Sequence, residues 1–491
     1  MTHTPLTLPL SNSFASLPDD FYAHVHTTPL QQPAAMIHFN QRAAELIDLE
    51  FEQHDLDELT AIFSGNLPMQ GAVNIAMRYA GHQFGHFVPQ LGDGRAIMLG
   101  ETTNSRDEKW EIQLKGSGMT PFSRMGDGRA VLRSTIREYL CSEAMHGLGI
   151  LTTRALCIIG SDDKVYRERV ETAAVLTRLA PSHVRFGSLE YFYYRDKHER
   201  LKQLIDYVIE QHYPELADTG NPVLALLDEV IKRTAKLIAQ WQSVGFCHGV
   251  MNTDNMSILG LTLDYGPYGF LDGYNPRHIC NHSDPHGRYA YDQQPDIGLW
   301  NLACLAQTLL PFITEEQAKD SLTRYWRLFK TDYEQIMANK LGFEQSNETT
   351  IKLTDELLQQ MQISQTDFTR LFRALCSVEH DSDQPQTELR DMFVDRERCD
   401  RWLTDYRATL QQHAHGDAER QASMKQANPK YVLRNYLVQT AIEKAEQEKN
   451  YSEIDSLLQV LQRPFDEWPE YEHYAAQPPQ WASEIEVSCS S

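Results

Sequence analysis

The chain has no apolar run approaching the roughly 18 consecutive residues that a membrane-crossing helix requires, so a membrane partner is not expected. It also has no Cys-x-x-Cys pair. Its eight cysteines, at 141, 157, 247, 280, 304, 376, 399 and 489, stand singly. That is the usage of a reducing compartment, and the protein is read as cytoplasmic. Positive charge is scarce: 45 Lys and Arg against 68 Asp and Glu leave a net charge of −23. A nucleic-acid partner is not expected on that balance, because neutralising phosphates takes clustered Lys and Arg. Residues 1–33 are polar and proline-punctuated. They show neither the apolar core of a signal peptide nor the arginines of a transit peptide.

At 491 residues the chain suits one large two-lobed unit or two to three domains. Residues 40–65 read as an amphipathic helix followed by a turn, with Ala43, Ala44, Leu46 and Ile47 at helical spacing. A glycine-studded region, 81–128, follows and contains strand-like segments at 96–99 and 110–115. In the second, Trp110, Ile112 and Leu114 alternate with Glu111, Gln113 and Lys115, so the polar set faces away from the buried side, toward a cleft. Residues 133–148 read as a helix with Ile136, Leu140, Ala144 and Leu148 on one stripe, ended by Gly149. A strand pair is expected at 155–159 and 165–170. From about Leu201 the pattern turns helical, over 201–211, 222–244, 300–312 and 432–448. Residues 379–388 have linker composition, and the aromatic tail at 464–469 is expected to pack on the body.

One deficit is specific. The stretch His248-Gly249-Val250-Met251-Asn252-Thr253-Asp254-Asn255 has the frame of a kinase catalytic loop, His-Arg-Asp-x-x-x-x-Asn. Val250 stands where that loop keeps its catalytic aspartate. Asp264-Tyr265-Gly266 follows as the counterpart of the metal-binding Asp-Phe-Gly element. Asn255 and Asp264 supply an amide oxygen and a carboxylate, which suit a hard octahedral Mg²⁺ shared with nucleotide phosphates. Standing alone, an Asp-aromatic-Gly is commonly a turn. The interval from Asn255 to Asp264 is short, so the connecting hairpin must be tight. Asp254 is the loop's sole carboxylate and the candidate general base, displaced from the kinase position; the alternative is that it merely orients the loop.

Lys115 on its strand and Glu138 on the next helix match the pair by which kinases hold nucleotide phosphates. Taken singly, each reads equally as a solvated surface residue. Their order along the chain, from Gly-rich turn to strand lysine, helix glutamate, catalytic loop and Asp-Tyr-Gly, favours the functional reading. Leu91-Gly92-Asp93-Gly94-Arg95 is echoed by Met125-Gly126-Asp127-Gly128-Arg129. Glycines let backbone N–H groups approach a phosphate, and the adjacent arginine can grip it with two bonds. Arg178 and Arg185 sit where the strand-rich part gives way to the helical part, able to clamp phosphates or to serve as surface ion pairs. His278, Cys280, His282 and His286 match no usual zinc spacing and read as a polar loop near the site; His82 and His86 read as structural. Cys489, three residues from the end, is either an incidental surface thiol or a reactive one.

Assembled, these stretches closely resemble the selenoprotein O (YdiU) family of kinase-fold proteins, from about Phe39 to the C-terminus. The resemblance rests on Gly81-His82-Gln83-Phe84-Gly85, Leu91-Gly92-Asp93-Gly94-Arg95, Leu114-Lys115-Gly116-Ser117-Gly118, the His248–Asn255 loop and Ile279-Cys280-Asn281-His282-Ser283-Asp284. It implies a protein adenylyltransferase: AMP moves from a flipped ATP to Ser, Thr or Tyr hydroxyls of protein substrates, and pyrophosphate leaves. It implies nucleotide contacts from Gly92, Gly94, Arg95, Lys115, Asp127, Gly128, Arg178, Arg185 and Asp264. It further implies Mg²⁺ at Asn255 and Asp264, a proton acceptor in Asp254, and Glu138 orienting Lys115. Mn²⁺ with UTP, giving UMP transfer, is the variant within the family. Many relatives carry selenocysteine near the C-terminus, where this chain has Cys489, which supports a redox role and the hypothesis of a Cys280–Cys489 disulfide.

The expected fold is α+β, a protein-kinase-like bilobal fold with a strand-rich N-lobe, a helical C-lobe and a helical C-terminal extension. Its expected boundaries are 1–40 for an N-terminal extension, 41–180 for the N-lobe, 181–380 for the C-lobe and 381–491 for the extension and tail. A single chain acting on other proteins is expected. Two other readings stay open: a conventional kinase using Asp254 as its base, and a non-catalytic ATP-binding pseudokinase.

Overall fold

A computed structural model describes residues 6, 8–381, 386–412 and 416–488. Its strands, in chain order, are β1 (Tyr22–His24), β2 (Ala34–Phe39), β3 (Ile75–Met77), β4 (Gly81–Gln83), β5 (His86–Val88) and β6 (Ala96–Thr103). They continue as β7 (Lys109–Lys115), β8 (Ala130–Val131), β9 (Arg154–Tyr166), β10 (Val170–Ala180), β11 (Phe246–Cys247) and β12 (Gly269–Phe270). An eight-stranded sheet runs β1-β3-β6-β7-β10-β9-β2, with β8 against β10. Its pairings are antiparallel. The fold is thus mixed α and β, an antiparallel sheet followed by many helices.

Alternation along β7 sets the layers. Ile112 and Leu114 are fully buried with Ile97, Leu99, Ile159, Val175 and Leu179, beneath helix Leu56–Phe63. On the opposite face of the sheet Ile158 and Leu176 meet Ile136, Leu140 and Ala144 of helix Leu132–Gly147, the stripe read from the sequence. Helices Asn435–Glu448 and Ser452–Leu461 cover the far side of that helix. Gly147 makes this approach close: a Cβ there would stand 2.0 Å from the Leu461 carbonyl oxygen. The aromatic tail packs as expected, with Lys430 and Tyr431 donating to the Pro464 carbonyl and Tyr474 buried.

Three local expectations change. The helix and turn expected in residues 40–65 are present, Gln41–Ala44 ending in a turn with Asp48 at φ +50°, but a second helix, Leu56–Phe63, follows on an Asp55 cap. The second strand expected at 165–170 straddles the turn between β9 and β10, where Tyr166 and Val170 are exposed. Strand β10 itself, Val170–Ala180, is buried along most of both faces, so it shows no period-two signal. Glu111 and Gln113 do leave the apolar face of β7 but are buried, against His183 and Arg178 respectively. Of the expected linker, residues 382–385 lie outside the described residues.

Candidate active site

A cavity of about 680 Å³ lies between the sheet and the loops of residues 248–267. Gly92, Gly94, Arg95, Lys115, Asp127, Gly128, Arg178, Arg185, Asp254, Asn255 and Asp264 all line it, as does Val250. Glu138 stands behind this wall, buried on helix Leu132–Gly147.

At the closed end the charges interlock. Lys115 on β7 donates to Glu138 Oε2 at 2.5 Å and to Asp264 Oδ1 at 3.0 Å. Arg178 on β10, paired in register with Gln113, reaches the same two carboxylates at 2.9 and 2.5 Å. Two cations therefore share two carboxylates, with Glu138 and Arg178 buried and Lys115 and Asp264 half-buried at the cavity. Burial works against the charge of Asp264, but Lys115, Arg178 and Arg185 together hold it well below the usual carboxylate range. Asp264 is an anion at neutral pH.

Arg185 Nη1 donates to the Asp254 backbone carbonyl at 3.0 Å, and its guanidinium stacks over Tyr79 at 4.2 Å. Arg185 Nη2 is buried without a hydrogen-bond partner; the nearest carboxylate oxygen, on Asp93, is 3.8 Å away. A buried orphan donor at the wall of a cavity is unsatisfied until an anion arrives.

The catalytic-loop stretch is braced by amides rather than by regular structure. Asn281 donates to the Gly249 carbonyl, Asn301 to that of Met251, and the His248 N–H donates to Gln294. Asn255 Nδ2 donates to the Val250 carbonyl at 3.1 Å, so its oxygen is the end left for a cation. The tight hairpin expected between Asn255 and Asp264 is present, bridged by Met256 and Thr262. Burial lifts the Asp254 carboxyl to about 6, against the hydrogen bond from Gln83 and the charge of Arg185.

A separate hairpin of β4 and β5 clips onto this loop. The His82 N–H donates to Thr253 Oγ1 at 2.7 Å, and the Phe84 N–H donates to Asn252 Oδ1 at 3.1 Å. The His82 ring shares a hydrogen bond with Glu190, which also accepts from Thr253. Cys304 lies beside them, and the three form the closest His/Cys/carboxylate group among the described residues. His82 accordingly has a structural place. His86 is exposed at the start of β5.

The two glycine-rich echoes face one cavity but differ in their contacts. Asp93 is buried and accepts from the Met77 N–H, while Arg95 stays exposed at the cavity. Asp127 lies at the outer rim, bound through both oxygens by Arg167 at 2.7 and 3.0 Å. Arg129 is turned aside onto the carbonyls of Thr28 and Pro29. Gly128, at φ +69°, is obligatory, since a Cβ would meet the Gly118 carbonyl at 2.1 Å. Tyr79, Asp93, Gln83 and Arg167 also line the cavity and were not singled out from sequence as site residues. Gln83 and Asp93 sit within quoted motifs, whereas Tyr79 and Arg167 lie outside them.

Cys280 is buried outside the cavity wall. Its thiol donates to the Pro267 carbonyl at 2.9 Å and faces the Cys247 carbonyl at 3.4 Å. Burial pushes it well above the ordinary thiol range. Cys489 lies outside the described residues.

A family model described as protein adenylyltransferase SelO matches residues 5–462. The chain is 57% identical over 486 residues to a protein nucleotidyltransferase YdiU of Thioalkalivibrio sulfidiphilus (strain HL-EbGR7), covering 98% of each. It is 53% identical over 485 residues to a protein of the same description from Thiobacillus denitrificans, covering 99% of each. A third such protein, from Myxococcus xanthus, is 51% identical over 484 residues, again covering 99% of each. The chain is therefore an enzyme, a nucleotidyltransferase. It belongs to the SelO family of protein adenylyltransferases.

Proposed function

We propose that this enzyme moves AMP from ATP onto Ser, Thr or Tyr hydroxyls of other proteins and releases pyrophosphate, using a nucleotide that lies reversed in a protein-kinase-like bilobal fold. In this reading residues 41–180 are the N-lobe and 181–380 the C-lobe, flanked by extensions at 1–40 and 381–491. The observation that carries it is the position of charge. Lys115, Arg178 and Arg185 converge at the closed end of the cavity, while the loop offers Val250 at the kinase base position and Asp254 further on. Cations gathered deep inside favour terminal phosphates there, leaving the α-phosphate toward the acceptor.

Lys115, Arg178 and Arg185 hold the phosphates, with Glu138 fixing Lys115. Gly92, Gly94 and Arg95 offer backbone N–H groups and a guanidinium, and Asp127 with Gly128 forms the outer rim. Asn255 and Asp264 fit a Mg²⁺ or Mn²⁺ ion, the one presenting an amide oxygen and the other a held anion. When bound, that ion neutralises charge on the departing pyrophosphate. The acceptor oxygen attacks the α-phosphorus, its proton passes to Asp254, and the bond to pyrophosphate breaks. A carboxyl lifted to about 6 is matched to taking that proton near neutral pH.

A redox role through Cys280 and Cys489 is part of the same proposal. Val487, two residues before Cys489, is buried and accepts from the His282 N–H at 2.8 Å, two residues after Cys280. A disulfide there would take the Cys280 thiol from the Pro267 carbonyl, next to the metal loop. Thiol trapping of peroxide-treated protein that found both cysteines free would end this part. Cytoplasmic action as a single chain is proposed on the unpaired, buried thiols of the described residues.

Mass spectrometry tests the reaction. After incubation with ATP and Mg²⁺ and a mixed protein pool, native enzyme should add AMP, and Asp264→Ala should not. Addition of phosphate instead would establish a kinase. A parallel arm with UTP and Mn²⁺ decides the nucleotide.

A further inference from the structure

We infer that Gln83 is a positioning residue for the transfer: its side-chain amide fixes the Asp254 carboxylate so that Oδ2 is the oxygen that takes the acceptor's proton. This rests on the reading of Asp254 as the base. Gln83 ends β4, lines the cavity, and donates from Nε2 to Asp254 Oδ2 at 3.1 Å. The other oxygen, Oδ1, is buried with no hydrogen-bond partner. It faces Gly81, where a Cβ would stand only 2.6 Å away.

Gly81 and Gln83, two apart on one strand, therefore present the same face to Asp254. One offers bare backbone and the other a donor. The bare backbone walls off Oδ1, so an incoming hydroxyl can reach only Oδ2. A carboxylate is otherwise broad and roughly two-fold about its last torsion, exchanging its oxygens. The amide of Gln83 removes that freedom without competing for the proton, since its NH₂ group only donates. Oδ2 keeps a second lone pair for the acceptor. The hairpin itself is held elsewhere, by the His82 and Phe84 N–H groups on Thr253 and Asn252. Loss of the Gln83 amide should therefore loosen the base and spare the fold.

Single-turnover transfer from α-labelled ATP tests this, read beside the ATP dissociation constant and the melting temperature. Gln83→Ala and the isosteric Gln83→Glu should each slow transfer roughly tenfold to hundredfold, with ATP affinity changed less than twofold. Gln83→Asn, which keeps a donor, should recover part of the rate. Placed on Asp254→Asn, Gln83→Ala should add no further loss, because it acts through that carboxylate. Full activity of Gln83→Ala, ATP affinity falling in step with rate, or an additive loss on Asp254→Asn would each overturn the inference. Native enzyme that transferred label only from the γ position would instead sink the reading of the reaction beneath it.

Discussion

Asp254 is a buried carboxylate and Asp264 a half-buried one, and their surroundings drive them in opposite directions. Asp264 has three cations around it and remains an anion, while Asp254 has one amide donor and is lifted to about 6. Divergent environments of this kind separate a charge-holding group from a proton-moving one. Asp254→Asn should lower transfer by about 10²- to 10⁴-fold while calorimetry finds ATP binding retained. Arg178→Ala should behave differently, removing one of the two cations that Glu138 and Asp264 share and leaving only Lys115 bridging them. Its cost should be about 3 kcal/mol in denaturant unfolding, together with weakened ATP binding. Lys115, Glu138, Asn255 and Asp264 were legible in the sequence because a motif orders them. Tyr79 and Arg167 were not, since each reaches the cavity through a contact that no local spacing encodes.

At the scale of elements, helix Leu132–Gly147 is held from both sides, by the sheet and by the C-terminal helices. Gly147→Ala should push Leu461 away and destabilise the protein by about 2 kcal/mol, as overpacked contacts do. That helix was readable because its stripe repeats cleanly, and β7 because it alternates. Strand β10 was not, because burial on both faces erases alternation, and the hairpin of β4 and β5 is too short to carry a pattern. The end of helix His198–His212 provides a pH test. Burial lowers His212 from the ordinary 6.5 to about 4, helped by Lys109 and Arg233 and opposed by Glu101. The unfolded chain then binds the proton more readily, so stability is full above pH 6.5 and is lost as pH falls toward 4. The loss should total about 3 kcal/mol. His212→Asn should abolish most of it, so that the variant outlasts the native protein at pH 5 in urea unfolding while differing little at pH 8.

Across the whole molecule, a chain of net charge −23 gathers Arg95, Lys115, Arg167, Arg178 and Arg185 about one cavity. An acidic exterior around a cationic cleft focuses polyanions into it and repels them elsewhere. The strand-rich first part, the helical second part and the order of the motifs were legible from the sequence. The cavity's interlocked charges needed three dimensions, because Lys115, Glu138, Arg178 and Asp264 span 149 residues. The identity of the atom that moves remains the centre of the account, and ATP labelled separately at its α and γ phosphates reads it directly. Protein acceptors should retain the α label and none of the γ label, with labelled pyrophosphate released from γ-labelled ATP. Retention of the γ label on protein, with ADP as the other product, would contradict the account outright.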